Sequence, residues 1–364
     1  VVLVGDEQST LLIEFYATVR IAEPFLPVGT VIAREQSYIY TFHKDKVAQQ
    51  EATPMKETDT QVIYSGKNFK AVFDKKSGLL VSYQYNGTEY ILNGQGLHPN
   101  FWRAPIDNDY GAGLGHKLGV WKEASYQDIT AASFNARNGE VTCTYQFPQT
   151  DATWDITYKI YTNGVIKIDN RFVAANEKTP MIPRIGLRMQ MPETFTTLTY
   201  YGRGPEENYR DRRTSQFFGE YSTPIKKMYE PYIRPQENNH RTDIYWCTLT
   251  NKSGAGLLLV ADRTFEMNAS NYPLETLDSG DDLHNAAPRT AQTNHRHLTD
   301  PKPEKMVDLF IDYRMMGVGG DNSWGALAHE PYLIRTGTQN AVEYGFTLVP
   351  FGRKTDFRNL IYQY

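Results

Sequence analysis

TWDITYKIYTNGVIKIDNRF, residues 153–172, alternates apolar and polar side chains on both sides of an Asn-Gly pair. Trp154, Ile156, Tyr158 and Ile160 share one face of an extended chain, and Asp155, Thr157 and Lys159 share the other. Asn163-Gly164 accepts the positive φ values that a type I′ turn requires. Ile166, Ile168 and Phe172 then resume the apolar face, so the stretch predicts a β-hairpin.

The same period recurs outward from it. A second Asn-Gly, Asn86-Gly87, follows Leu79-Leu80-Val81 and Tyr83-Gln84-Tyr85. Near the start, Phe15, Ala17, Val19 and Ile21 alternate with Glu14, Tyr16, Thr18 and Arg20, which predicts a half-buried strand. One short helix is expected near residues 114–121, where Leu114, Leu118 and Trp121 fall at i, i+4 and i+7. Long amphipathic helices are absent from the pattern, so the reading is an all-β sandwich rather than an α/β fold. The polar run HKDKVAQQEATPMKETDT, residues 43–60, reads as a boundary loop. Only two or three strands precede it, too few to close an immunoglobulin-like sandwich of about seven. A second loop-rich stretch, residues 277–300, is expected at the surface.

Composition bounds the function classes. The 364 residues are 40% hydrophobic and 22% charged, as for an ordinary globular chain. A net charge of −4 offers no basic excess for phosphates, which argues against nucleic acid. No run reaches the roughly 18 apolar residues of a membrane span. Val1-Val2-Leu3-Val4 lacks the basic leader and length of a signal peptide, and the compartment stays open. Cys143 and Cys247 lie far apart without metal spacing and read as buried free thiols, with a disulfide as the alternative. The 25 tyrosines suit pleated surfaces first and sugar faces second.

Three segments are dense in polar and aromatic residues: NFWRAPIDND (100–109), YGRGPEENYRD (201–211) and MGVGGDNSW (316–324). Asp107-Asn108-Asp109 offers oxygen ligands for calcium or magnesium, but EF-hand spacing is absent and such clusters commonly cap turns. Glu206-Glu207 is a poor glycosidase pair. Retaining carboxyls stand about 5–5.5 Å apart across the bond, and inverting ones about 6.5–9.5 Å. Neighbours on a strand point to opposite faces. A structural carboxylate paired with Arg203 or Arg212 is the preferred reading. His295-Arg296-His297 could place two imidazoles on one face, yet no third zinc ligand is evident, so structural or solvent-facing histidines are expected. Gly317-Val318-Gly319-Gly320 matches no phosphate loop. It can bend the chain so that Trp324 projects as a flat apolar face for a pyranose, with a buried core tryptophan as the rival.

Taken in order, these segments resemble the C-terminal domain of glycoside hydrolase family 2 β-galactosidases. So do Met228-Tyr229-Glu230-Pro231-Tyr232 with Pro235-Gln236-Glu237-Asn238, and His295-Arg296-His297-Leu298. The resemblance covers most of the chain from about residue 60. It implies a large galactose-mutarotase-like supersandwich over residues 61–364, preceded by the last strands of an immunoglobulin-like domain over 1–45 and a linker over 46–60. One departure is Ile106, where the family often has Thr. The chain is also expected to run through several further strands beyond Trp324.

In the family, the catalytic glutamates sit on a (β/α)₈ barrel that typically takes about 250 residues. No position here matches them, so no catalytic or metal-ligating residue is assigned and the chain is expected to be inactive alone. The family's magnesium and sodium would bind outside it. The implied role is to complete a β-galactoside site and pack on a catalytic barrel. The alternative is a carbohydrate-binding module or a small subunit docking on a separate large subunit. Trp324 resembles the family's tryptophan at the mouth of the active site and is the one substrate-binding residue carried over. Asp321 and Asn322 flank it and are expected to set the loop. Arg103, Asp107, Asn108, Asp109, Glu206 and Asn208 are expected in a buried polar network or an inter-domain contact. Mutarotase chemistry on free galactose would rest on fold analogy alone.

Overall fold

The computed structural model describes residues 11–40, 51–278, 297–337 and 341–364. They fall into two compact units, one within 1–49 with 358–364 and the other within 50–357. The first holds β1 (Leu11–Thr18) and β2 (Val31–Tyr40), paired antiparallel. The alternation in β1 does not produce a half-buried strand: Phe15 on one face is 57% exposed and Tyr16 on the other 54%. A two-stranded ribbon has no second layer of its own to cover either face.

The larger unit begins with a five-stranded sheet of β3 (Met55–Glu57), β4 (Gln61–Ser65), β5 (Phe69–Asp74), β6 (Leu80–Tyr85) and β7 (Thr88–Glu89), paired in sequence order. β3 lies inside the run read as a boundary loop. Asn86 and Gly87 take φ values of 48° and 77°, the two-residue I′ turn expected between β6 and β7. After β8 (His98–Asn100) come three short helices, α1 (Asp107–Gly111), α2 (Leu114–Lys117) and α3 (Gly119–Tyr126). The single helix expected near 114–121 is broken at Leu118, whose φ of −110° leaves the helical region. Leu114, Leu118 and Trp121 are nevertheless all buried.

The remaining strands are β9 (Ser133–Arg137), β10 (Glu140–Phe147), β11 (Ala152–Ile160), β12 (Ile166–Ala174), β13 (Arg184–Pro192), β14 (Phe195–Gly204), β15 (Phe217–Pro224), β16 (Arg241–Asn251), β17 (Gly256–Ser270), β18 (Met306–Met315) and β19 (Val342–Phe351). Short helix α4 (Leu274–Leu277) follows β17. With β8 they form one twelve-stranded sheet, whose main path is β15-β14-β16-β17-β19-β12-β11-β10-β9. Only β19 follows Trp324 among the described residues, not several strands. Part of the intervening chain is a 3₁₀ turn at Glu330–Tyr332 and makes no ladder.

The hairpin of residues 153–172 forms, with Ile160 opposite Ile166, but its turn is not type I′. Of the Asn-Gly pair only Gly164 has positive φ, at 90°. The Gly164 amide donates to Tyr161 O (2.8 Å), and the Tyr161 amide donates to Val165 O (3.0 Å). This is the longer loop in which a type I turn is followed by a glycine bulge.

The two sheets share one core. Trp154, Ile156, Tyr158 and Ile160 are fully buried, and Phe73 of β5 meets Tyr158 edge-on at 5.0 Å. Tyr83 of β6 donates its hydroxyl to Gly164 O (2.7 Å), so its polar tip is satisfied inside the layer. Each such large side chain contributes about 1.5–3 kcal/mol by leaving water. The sandwich expectation therefore holds, with a curled large sheet as one of its layers. Cys143 and Cys247 are free and buried, and burial pushes the Cys143 thiol up to about 12.

The large sheet branches at β17. Residues 256–261 of that strand pair with β19, whereas residues 266–270 pair with β18, which in turn pairs with β13. Residues 262–265 pair with neither. Opposite them, the register with β16 jumps from Ile244↔Phe265 to Trp246↔Val260, a large bulge. Asp243, in the same irregular stretch of β16, has φ of 57°. The fork leaves a gap between the two branches.

Candidate functional site

The loop of residues 316–329 leaves β18 and carries Trp324, which is 88% exposed. The core-tryptophan rival is thereby excluded. The other four tryptophans, Trp102, Trp121, Trp154 and Trp246, are all buried. Trp324 stands out because its loop is tied down on several sides. Arg103 is 2% exposed and donates to Met316 O (2.7 Å) and Gly317 O (3.2 and 3.1 Å). The same guanidinium forms a fork on Asp109, with Nε to Oδ2 at 3.0 Å and Nη2 to Oδ1 at 2.9 Å. Asp109 Oδ2 also accepts the Ile106 amide (3.1 Å) at the start of α1. A bidentate pair of this kind fixes direction as well as charge.

Further along the loop, Asp211 accepts the Val318 amide (3.1 Å) and the Gly319 amide (2.7 Å). Asn322 accepts the amides of Trp324 (2.8 Å) and Ala326 (3.4 Å) through its side chain. Its carbonyl takes the side-chain amide of Asn108 (3.0 Å). His329 reaches Asp321 at 2.8 Å. Gly325, at φ of 102°, lies against α1 so closely that a Cβ there would come within 2.4 Å of Gly111 C. The glycines thus serve close approach as much as bending.

Of the residues expected in a polar network, Arg103, Asn108 and Asp109 converge on this loop, and Asp107 is exposed. Asn208 is buried elsewhere, accepting from the Thr242 amide (3.0 Å) and hydroxyl (2.6 Å) and donating to Arg203 O (3.1 Å). Glu206 is exposed, while Glu207 turns inward to Arg212 (2.5 Å) and the Asn239 amide (2.7 Å), the structural role expected of the doublet. Arg203 pairs instead with Asp243 (2.7 Å). The Pro235-Gln236-Glu237-Asn238 segment feeds a buried network in which Asn268 donates to Glu237 (3.1 Å) and Asn238 O (2.7 Å). His295 and Arg296 lie outside the described residues. Among those described, no three His, Cys, Asp or Glu side chains gather as a metal would require.

A second feature, missed by the sequence reading, is a cleft of about 730 Å³ at the fork in β17. Its walls carry Asp155, Asp169, Asp243, Asp262, Glu266 and Glu343. Each already faces a cation within 4 Å. Arg171 serves Asp155 (3.7 Å) and Glu343 (3.9 Å), and Lys167 serves Asp169 (3.1 Å) and Asp262 (2.5 Å). Arg213 meets Asp243 (2.8 Å), and Glu266 meets His240 (3.0 Å) and Arg210 (3.5 Å). Every one of these carboxylates is thus engaged in an ion pair. These residues come from several separate strands and form no linear motif. The one local signal was Asp262-Arg263-Thr264, a polar run in a strand otherwise rich in apolar residues.

Together these features define an all-β domain that presents an exposed tryptophan on a braced loop. Residues 65–348 match the family model described as "Beta galactosidase small chain". A curated β-galactosidase of Priestia megaterium is 34% identical over 286 residues, covering 78% of this chain and 26% of that protein. One from Streptococcus thermophilus is 30% identical over 347 residues, covering 91% of this chain and 31% of its own length. Among solved structures, a galactose mutarotase related enzyme from Lactobacillus acidophilus aligns with a TM-score of 0.46 at 10% identity, covering 80% of this chain and 98% of that one.

The chain belongs to the β-galactosidase small-chain family. It spans between a quarter and a third of these two β-galactosidases.

Proposed function

We propose that this chain is the C-terminal, small-chain region of a glycoside hydrolase family 2 β-galactosidase and completes the galactoside site from outside the catalytic centre. In this reading, residues 61–364 form the small-chain domain and residues 1–45 close a preceding immunoglobulin-like domain. The acid and nucleophile come from a barrel, on a large chain or on another region of the same protein. The family's magnesium and sodium bind there as well. The exposed Trp324 carries the reading. The backbone that carries the indole is braced before binding, so stacking on the C–H face of a galactose need not order the loop. The family's description as a small chain favours docking onto a catalytic partner over an autonomous binding module.

Hydrolysis of an aryl β-galactoside tests this. The chain alone is expected to give no turnover, and mixing it with a barrel-bearing large chain is expected to give activity. In that complex Trp324→Ala is expected to weaken sugar binding by about 1–3 kcal/mol, read as a raised KM. Turnover by the chain alone, or an unchanged KM across several galactosides, would overturn the proposal.

A further inference from the structure

The cleft at the fork in β17 has no part in the reading of Trp324, and no residue of the 316–329 loop lines it. Its volume falls in the range usual for small-ligand sites, about 300–1,000 Å³. It exists because β17 changes partner from β19 to β18, so Asp262, Arg263 and Thr264 face a gap rather than a neighbouring strand on that side. Asp243, in the wall, sits at positive φ in a non-glycine residue, a conformation that surrounding contacts must hold in place.

The wall chemistry selects the ligand. Carboxylates and guanidiniums both line it and largely neutralise one another. A phosphate arriving there would meet six carboxylates, and a metal ion would meet the guanidiniums of Arg210, Arg263 and Arg314. Neither charge is favoured. Hydrogen-bonding capacity nonetheless faces the cleft: the side chains of Arg171, Asp155, Asp262 and Glu343 are 54%, 41%, 44% and 71% exposed. Carboxylates bound by one cation retain free lone pairs. A hydroxyl donates and accepts at once, so a polyol can serve both kinds of wall group without adding charge. Phe265, Tyr313 and Tyr344 add apolar surface to the same wall.

We infer that this cleft binds a neutral saccharide, a pyranose or short oligosaccharide, at a non-catalytic site separate from Trp324. It would hold sugar near the enzyme rather than transform it. Arg263 lies exposed on the rim, and Arg314 packs over the Tyr313 ring (5.1 Å).

Isothermal titration of the 364-residue chain with lactose and with D-galactose tests the inference, alongside Trp324→Ala, Arg314→Met and Arg263→Ala. Saturable binding is expected that persists in Trp324→Ala and falls about tenfold or more in at least one arginine variant, with inorganic phosphate and calcium chloride showing none. Arg263→Ala changes an exposed side chain, so the test does not depend on Arg314→Met folding. The inference is overturned if neither sugar binds up to about 100 mM, a Kd of only about 1.4 kcal/mol. It is also overturned if binding disappears in Trp324→Ala yet survives both arginine changes, or if phosphate binds the cleft more tightly than the sugars. Because Trp324 and the cleft are changed separately, either can fail without the other.

Discussion

Arg103→Met should cost about 3–5 kcal/mol of folding stability. The guanidinium makes two bonds to Asp109 and three to the carbonyls of Met316 and Gly317, all in a region where Arg103 is 2% and Asp109 4% exposed. Methionine fills much of the volume but donates nothing. Asp109 would keep only the Ile106 amide, and the two loop carbonyls would lose this donor. An unpaired buried charge dominates the cost, and the carbonyls add to it. The measurement is a urea titration at neutral pH, with unfolding free energies taken by linear extrapolation. Pairing the change with Asp109→Leu removes the stranded charge, so the double variant should recover about 1–3 kcal/mol relative to the sum of the singles. Recovery should be incomplete, because the loop carbonyls still lack their donor. A loss under about 1 kcal/mol for Arg103→Met, or strictly additive singles, would refute the claim that this pair braces the Trp324 loop.

His98 is held down to about 4, chiefly by burial and then by the nearby Arg188 charge, so it stays neutral in the fold while the unfolded chain takes up a proton near 6.5. Its contribution is therefore present above pH 6.5 and lost as the pH falls toward 4, about 3 kcal/mol in all, and His98→Asn should flatten that part of the stability profile. Gly325→Ala combines a φ of 102° with a Cβ 2.4 Å from Gly111 C, and should displace the loop, read as altered acrylamide quenching of Trp324. With burial raising both thiols, Cys143 and Cys247 should resist a disulfide reagent at pH 8 until the chain is unfolded.

Local chemistry made parts of this fold readable and left others hidden. Asn86-Gly87 needed nothing beyond its own two residues, because both take positive φ in a two-residue turn. Asn163-Gly164 marked its hairpin correctly, but Asn163 stays out of that region and the turn is longer, a choice made by the strand register. The all-β sandwich followed from period-two alternation wherever a second layer covers the strands. In β1 the same alternation failed as a guide to burial, since alternation encodes two faces and not what lies on either. The fork in β17 was invisible because it depends on which distant strand pairs with each half. Arg103 and Asp109 were legible as a polar cluster. The grip of Arg103 on carbonyls more than 200 residues away was not.

Trp324 tests the distinction between a side chain that holds the fold and one that the fold holds. A buried tryptophan such as Trp154 hydrogen-bonds Asn170 (3.1 Å) and packs on Phe172, and truncating it to alanine should cost about 3–5 kcal/mol. Trp324 is 88% exposed and leaves little apolar surface hidden to lose. The contacts that order its loop come from Arg103, Asn108, Asp211 and Asn322, and none of them uses the indole. Trp324→Ser should therefore change the unfolding free energy by no more than about 0.5 kcal/mol, while abolishing the acrylamide-quenchable fraction of the fluorescence. A loss of about 2 kcal/mol would show that the indole is packed in solution. The platform role would then fall, because a ring already occupied by its own protein has no free face for a sugar.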